Sequence, residues 1–156
     1  MSAAGLIEDQ PSARDRRVAI VAARFNDFVV ASLLKGARAA WHERGGAAHD
    51  LTVVRVPGAF ELPVVARRLA SSGRYDAVVA LGCVIRGDTP HFDYIAGEAA
   101  RGLQLAGLET GVPVIFGVLT VESLEQALER AATTAGNKGG EAMESALEMA
   151  AVMARL

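Results

Sequence analysis

The polar segment Arg86-Gly87-Asp88-Thr89 carries residue types that can bind an anion. It interrupts an apolar run, and Pro90-His91 follows it at the start of a predicted helix. The free N–H groups and the dipole of a helix N-terminus favour an anion at this position. A histidine in the first helical turn can also transfer protons to or from such a ligand. The alternatives are an ordinary turn and a solvent-exposed histidine, and Asp88 would have to point its carboxylate away from a phosphate.

Arg130 is a second candidate for anion binding. On a helix, an arginine usually pairs with an acidic residue three or four positions away. Here positions 126, 127, 133 and 134 hold Gln, Ala, Thr and Thr, so no local acid is available. Such an arginine favours a carboxylate or phosphate partner from elsewhere.

Other candidates have equally plausible structural roles. Glu61 begins a helix, where a carboxylate is stabilised in any case, but it could also accept hydrogen bonds from the hydroxyls of a sugar-like ligand. Phe25 and Phe60 follow two strand ends and provide either packing or a platform for a flat ring. Phe116 lies inside an apolar strand, so we expect it in the core. Cys83 is expected to be a small buried hydrophobic residue, because no base is close to it.

Four strands and five helices have to position these groups. Short β-branched apolar runs predict strands at 17–23, 51–56, 77–85 and 114–119. Apolar residues at helical spacing predict helices that begin after an Asn26 or Asp27 cap, at Leu62, after Pro90, after a Ser123 capping box and at about Glu141. This alternation predicts an α/β fold, a three-layer α/β/α sandwich with a four-stranded, mainly parallel sheet. Ligands of such sheets bind beyond the carboxyl ends of the strands, where the candidate residues fall.

Composition narrows the class of protein. The chain has 156 residues and a formal net charge of −2 with interleaved signs, so we expect no nucleic-acid and no membrane partner. Its single cysteine excludes an intrachain disulfide. His42, His49 and His91 lack the spacing of metal ligands, so no metal is expected.

The N-terminal segment has no apolar core of the kind found in signal peptides. Nor does any stretch approach the ~20 uninterrupted apolar residues of a membrane span. These features predict a cytoplasmic location. Residues 1–16 are predicted to form a polar tail, and residues 17–156 a single domain.

Five segments of the chain stand out together. They are RFN (24–26), VPGAFELP (56–63), GCVIRGDTPHFDYIA (82–96), PVIFGVLT (113–120) and AGNKGGEA (135–142). In their order and spacing these segments resemble the lumazine synthase family. The resemblance covers about residues 15 to 155 and implies a flavodoxin-like sheet. It also implies a cofactor-free transferase of riboflavin biosynthesis. Its reaction would condense 5-amino-6-(D-ribitylamino)uracil with 3,4-dihydroxy-2-butanone 4-phosphate.

The resemblance assigns roles to particular residues. His91 would transfer protons, and Asp88, Thr89 and Arg130 would bind the phosphate. The pyrimidine and its ribityl chain would contact Phe25, Asn26, Ala59, Phe60, Glu61, Cys83, Val84, Ile85 and Phe116. Lys138 and Glu141 match the family motif without a definite role. Cys83 and Asp88 stand where the family pattern varies, so neither side chain is expected to be essential.

The resemblance further implies a homo-oligomer whose site lies between adjacent subunits, either a pentamer or a closed 60-subunit shell. Phe116 and Arg130 would then reach into the neighbouring subunit's pocket. Two other hypotheses are a lumazine- or flavin-binding carrier without turnover and a structural shell with a decayed site. The presence of both His91 and Arg130 argues against them. A flavodoxin-like redox protein would need a Ser/Thr-rich phosphate loop after the first strand, and ARFNDF is not one.

Overall fold

The computed structural model describes residues 5–132 and 136–156. Its strands are β1 (Val18–Ala23), β2 (Leu51–Val56), β3 (Ala77–Ile85) and β4 (Val114–Val121). Its helices are α1 (Asp27–Glu43), α2 (Leu62–Ser71), α3 (His91–Thr110), α4 (Leu124–Arg130) and α5 (Lys138–Ala154). The four predicted strands and five predicted helices are confirmed. β4 is two residues longer than expected, and α5 begins three residues earlier.

The four strands form one parallel sheet in the order β2-β1-β3-β4. In β1, Val18 lies opposite Leu51 of β2 and Ala77 of β3. After β2 has been added on one side of β1, the chain returns to add β3 on the other side. The carboxyl ends of β1 and β3 are therefore neighbours whose following segments diverge, the usual place for a ligand crevice in this kind of sheet.

Each face of the sheet is covered by helices, so the predicted three-layer sandwich is confirmed. Alternate residues of each strand point to opposite faces. On one face, Ile20 and Leu81 belong to a buried cluster with Met143 of α5 and with residues of α1 and α4. On the other face, Val21 and Ala80 pack with α2 and α3. A strand buried on both faces has to be apolar throughout, which explains the continuous apolar runs of β1 and β3.

The predicted N-terminal tail is partly attached to this core. The side chain of Ala13 is buried, and its backbone N–H donates to the carbonyl of Arg44 at 3.0 Å. Residues 1–4 of the predicted tail lie outside the described residues. In the ranges 5–132 and 136–156, none of the helices combines the length and the apolarity needed to cross a bilayer.

Two predicted helix starts behave differently from each other. Ser123 caps α4 as expected, since its Oγ accepts a hydrogen bond from the Gln126 N–H at 3.2 Å. Asn26 occupies the cap position of α1 in a left-handed conformation with φ 61°, but its side chain makes no capping hydrogen bond. Its Nδ2 instead donates to the carbonyl of Cys83 at 2.8 Å. Asn26 is therefore the N-cap residue, as one of the two predicted positions, but its side chain does not cap the helix and binds a carbonyl of another strand instead.

The junction before α5 explains why this helix begins early. The predicted break over 135–140 starts at Ala135, which lies outside the described residues. The Asn137 Oδ1 accepts hydrogen bonds from the amides of Gly139 and Gly140, at 2.8 and 3.0 Å. The Asn137 Nδ2 donates to the carbonyls of Ser32 and Ala131, both at 3.0 Å. One side chain thus starts α5 and fixes it against α1.

We predict that Gly139→Ala destabilises the fold strongly. A Cβ at this position would lie 1.9 Å from the carbonyl oxygen of Leu33, so the backbones of α1 and α5 would have to separate. Overpacking of this kind reduces the free energy of unfolding by about 3 kcal/mol. The midpoint of urea unfolding measures the loss. Gly140→Ala is the matched control, since its nearest neighbour, the carbonyl oxygen of Gly36, is 3.3 Å away. Equal losses for the two variants would contradict the prediction.

Candidate active site

A cavity of about 560 Å³ opens where the ends of β1, β2 and β3 meet the start of α3. Of the predicted site residues, it gathers Phe25, Ala59, Phe60, Glu61, Cys83, Val84, Ile85, Thr89 and His91. Asn26 and Asp88 are adjacent to lining residues in the chain but do not line the cavity. This position is the switch point of the sheet, where the fold leaves the strand ends uncovered.

Two aromatic rings stand exposed at this cavity. Phe25 is 70% exposed and Phe60 is 55% exposed, although both follow buried segments. Large exposed aromatic rings beside a cavity are typical of a surface that stacks on a flat ligand. Glu61, which is half-buried, lies beside Phe60, and its Oε1 lies close to the backbone of Gly58. Because Gly58 has no side chain, the carboxylate has space at the edge of the cavity.

Arg55 fixes the loop that carries Phe25. Its guanidinium donates to the carbonyls of Ala22 and Ala23, each at 3.3 Å, and to the Asp27 carboxylate at 2.5 Å. These contacts lie on both sides of Phe25, and the bond from Asn26 to Cys83 adds a third restraint. The sequence reasoning missed Arg55. The available signal was a charged residue inside the otherwise apolar strand β2.

The turn between β3 and α3 presents free backbone donors. Across the part of the chain that the structure describes, the amides of Gly87, Asp88 and Thr89 donate to no protein acceptor. The Thr89 Oγ1 accepts a hydrogen bond from the His91 N–H at 3.4 Å. All of these residues are exposed, and α3 directs its N-terminus toward them. Successive free amides at a helix N-terminus are suited to bind a phosphate.

Arg86, the first residue of the polar segment, was considered as an anion-binding residue type but received no role of its own. Its Nε lies 2.8 Å from the Glu122 carboxylate, and its Nη2 lies 3.4 Å from the Asp93 carboxylate. Its guanidinium carbon also lies 4.4 Å from the centroid of the Phe92 ring. The sequence signal was an arginine at the junction between a buried strand and a glycine.

Cys83 lies in the wall of the cavity and is only 3% exposed. Burial raises the pKa of its thiol from 9.0 to about 11, because the thiolate would lose its solvation. The thiol is therefore neutral at physiological pH and a poor nucleophile. The expectation of a small buried hydrophobic residue is confirmed.

The remaining candidates lie at a second cavity of about 350 Å³, beside β4, α4 and α5. Phe116, Arg130, Lys138 and Glu141 line it together with Ser145. Phe116 is 44% exposed, so its expected place in the core is wrong. The reason is that β4 is an edge strand, so no further strand lies on its outer side.

The two basic side chains at the second cavity differ in their partners. The Lys138 Nζ lies 3.2 Å from the Glu141 carboxylate, so these two side chains pair with each other. Among the described residues, no carboxylate pairs with Arg130, whose Nη1 donates to the carbonyl of Gln126 at 3.1 Å. Within one chain, Phe116 and Arg130 do not line the cavity that holds His91.

No group of three His, Cys, Asp or Glu side chains within 5–132 and 136–156 is arranged to hold a metal ion. The first cavity presents free amides, a histidine, a carboxylate and exposed aromatic rings. The fold and the residues at the strand ends define a doubly wound parallel α/β protein with a ligand crevice at its switch point.

Comparison with known proteins identifies the family. Residues 15–154 match the sequence model described as 6,7-dimethyl-8-ribityllumazine synthase. A protein of that name from Nitratidesulfovibrio vulgaris (strain DSM 19637 / Miyazaki F) is 55% identical over 150 residues, which cover 96% of each chain. Proteins of that name from Chlorobium phaeovibrioides and Chlorobium luteolum are each 54% identical over 143 residues, which cover 92% of each chain. The chain belongs to the 6,7-dimethyl-8-ribityllumazine synthase family.

We predict that the Cys83 thiol of the folded protein alkylates slowly at neutral pH, and that its rate keeps rising until the pH approaches 11. The folded-state pKa is raised, so the stability that the neutral thiol contributes is present below the unfolded pKa and is lost as pH rises toward 11. Iodoacetamide labelling followed by mass spectrometry measures the rate. Urea-unfolded protein is the control and should level off near the ordinary thiol pKa. Equal rates for folded and unfolded protein at pH 8 would contradict the prediction.

Proposed function

We propose that this chain condenses 5-amino-6-(D-ribitylamino)uracil with 3,4-dihydroxy-2-butanone 4-phosphate to give 6,7-dimethyl-8-ribityllumazine, phosphate and water. This transferase reaction is the one for which the family is named. The observation that carries the proposal is that free turn amides, His91 and the exposed ring of Phe25 meet at one cavity. These groups match a phosphate, a proton transfer and a flat heterocycle, respectively.

The pyrimidine binds between the exposed rings of Phe25 and Phe60 and the end of β3. Phe25 stacks on the heterocycle, and backbone groups of residues 83–85 contact its edge. Glu61 accepts hydrogen bonds from the ribityl hydroxyls, with Ala59 and Phe60 beside the chain. The exposure of both rings and the position of Glu61 at the cavity edge support this arrangement.

The phosphate of the second substrate binds at the turn between β3 and α3. The amides of Gly87, Asp88 and Thr89 donate to its oxygens, and the Thr89 hydroxyl adds a further hydrogen bond. Asp88 contributes its backbone rather than its carboxylate, which would repel a phosphate. The lack of protein acceptors for these amides within the described chain supports this role.

The chemistry needs little beyond position and proton transfer. The amine of the pyrimidine attacks the butanone carbonyl, and loss of water gives an imine. The phosphate then leaves as inorganic phosphate, and ring closure releases a second water. His91 moves the protons of these steps. Holding two reactive substrates side by side supplies much of the acceleration, and the donors around the departing phosphate stabilise its charge.

The active site is shared between adjacent subunits of a homo-oligomer. Arg130 of one subunit pairs with the phosphate in the next subunit's cavity, and Phe116 covers the pyrimidine there. Lys138 and Glu141, which line the same surface as Arg130, adjoin the shared site. Two observations support this arrangement. Arg130 has no acidic partner in the described chain, and Phe116 is exposed on an edge strand.

Exposed apolar side chains elsewhere also support an oligomer. Phe28, Tyr94 and Leu108 are each more than two-thirds exposed, and a neighbouring subunit would bury such side chains. We infer a homo-oligomer of the kind that the family resemblance implies, either a pentamer or a closed 60-subunit shell. The proposal also includes two predictions made from the sequence. These are a single domain over residues 17–156 that follows a short tail, and a cytoplasmic location.

We predict that the purified protein, mixed with both substrates, forms a green-fluorescent lumazine and releases phosphate faster than the substrates react alone. His91→Ala should slow turnover on the order of 10²-fold without abolishing it, because the proximity of the substrates remains. Fluorescence and a phosphate assay follow the two products. A wild-type rate equal to the spontaneous rate would exclude the proposed activity.

A mixture of inactive variants tests the shared site. We predict that His91→Ala and Arg130→Ala, each impaired alone, regain activity when their subunits are unfolded together and reassembled. About a quarter of head-to-tail interfaces would then join the intact histidine of one subunit to the intact arginine of the next. Steady-state assays before and after mixing measure the recovery. Separately reassembled variants are the control, and no gain on mixing would place both residues in a site within one chain.

A further inference from the structure

We propose that Arg86 is a positioning residue that holds the turn of residues 87–90 in its phosphate-binding shape. The inference rests on the proposed function, in which the amides of this turn bind the substrate phosphate. Arg86 does not line the cavity itself, whereas Gly87, Thr89 and His91 do. It therefore acts on the ligand through the turn that follows it.

The turn has little structure of its own. Across the described ranges, no backbone hydrogen bond joins residues 87–89 to one another or to the sheet. The bond between the His91 N–H and the Thr89 Oγ1 is long, at 3.4 Å. An anion binds to amides that are free. Because free amides make no hydrogen bonds within the protein, they do not stabilise the conformation of the turn. Its shape has to be fixed from outside.

Arg86 fixes both ends of the turn. Its backbone N–H donates to the carbonyl of Val121 at 2.9 Å, which anchors the entry to β4. Its side chain then reaches across to the first turn of α3, where it lies over the Phe92 ring and beside the Asp93 carboxylate. The residues that bind the anion lie between these two anchor points. Arg86 therefore restrains the distance that they span, at one end through its backbone and at the other through its side chain.

A third contact orients the guanidinium. The Glu122 carboxylate forms an ion pair with Arg86, 2.8 Å from its Nε, and Glu122 is itself held because its N–H donates to the Gln126 Oε1 at 2.8 Å. A planar guanidinium can stack on a ring while its edge faces two carboxylates, which a lysine ammonium cannot do. The geometry thus requires arginine rather than a positive charge alone.

These contacts are solvent-exposed, so they contribute little to global stability. Their effect should appear in phosphate binding instead. We expect Arg86→Ala to raise the KM for the butanone phosphate, and the Kd for inorganic phosphate, on the order of tenfold. The KM for the pyrimidine should change less than about twofold, because Phe25 and Glu61 are positioned by other contacts. Arg86→Lys should recover only part of the loss.

The experiment measures steady-state kinetics for each substrate separately and phosphate binding by calorimetry. Arg67→Ala is the matched control, since Arg67 forms an ion pair with Glu109 between α2 and α3 and should leave all three constants unchanged. Glu122→Gln tests how Arg86 acts, because it frees the guanidinium without removing it. If Arg86 positions the turn, this variant binds phosphate more weakly than the wild type.

Each remaining outcome is decisive. Tighter phosphate binding by Glu122→Gln would mean that the guanidinium contacts the phosphate directly, and would overturn the proposal. Unchanged constants in Arg86→Ala, with an active wild type, would also overturn it. An inactive wild type would instead refute the proposed function. If Arg86→Ala does not fold, Arg86→Lys and Glu122→Gln still give the same comparison.

Discussion

The hydrogen bond from the Asn26 amide to the carbonyl of Cys83 joins the ends of β1 and β3, and the candidate site is built around this junction. The sheet order β2-β1-β3-β4 makes these two strands neighbours while sending the segments that follow them in different directions. A crevice results, with Phe25 on one side and the turn before α3 on the other. The left-handed conformation of Asn26 allows the side chain to reach across while α1 begins at the next residue.

Within one chain the anion site uses backbone donors, and the charged side chain of the proposed site, Arg130, comes from the adjacent subunit. The amides of residues 87–89 remain free because the turn belongs to neither β3 nor α3. Two arginines of the same chain, Arg55 beside the end of β1 and Arg86 before the turn, contact protein groups instead. They fix the loops that carry Phe25 and Thr89. Such an arrangement suits the proposed reaction, because its substrates are already reactive and require correct placement more than strong catalytic groups.

Much of the fold could be predicted from the sequence because its signals are local. Continuous β-branched runs identified β1 to β4, and the Ser123 box identified the start of α4. The failures concern groups whose partners are distant in the chain. Asn26 was assigned a capping role because its acceptor, 57 residues away, is invisible to local patterns. Asn137 was not recognised as the cap of α5, since it is positioned by a carbonyl of α1.

By itself, the sequence determined the parallel α/β class, the family resemblance and the segments that lie at the carboxyl ends of the strands. The reason is that the apolar patterns of strands and helices, and the spacing of motifs, are properties of the linear chain. Only the tertiary structure decided which residues meet. It gathered Phe25, Glu61 and His91 at one cavity and left Arg130 at another. It also exposed Phe116, because the order of strands places β4 at the edge of the sheet. That order cannot be predicted from local patterns of apolar residues.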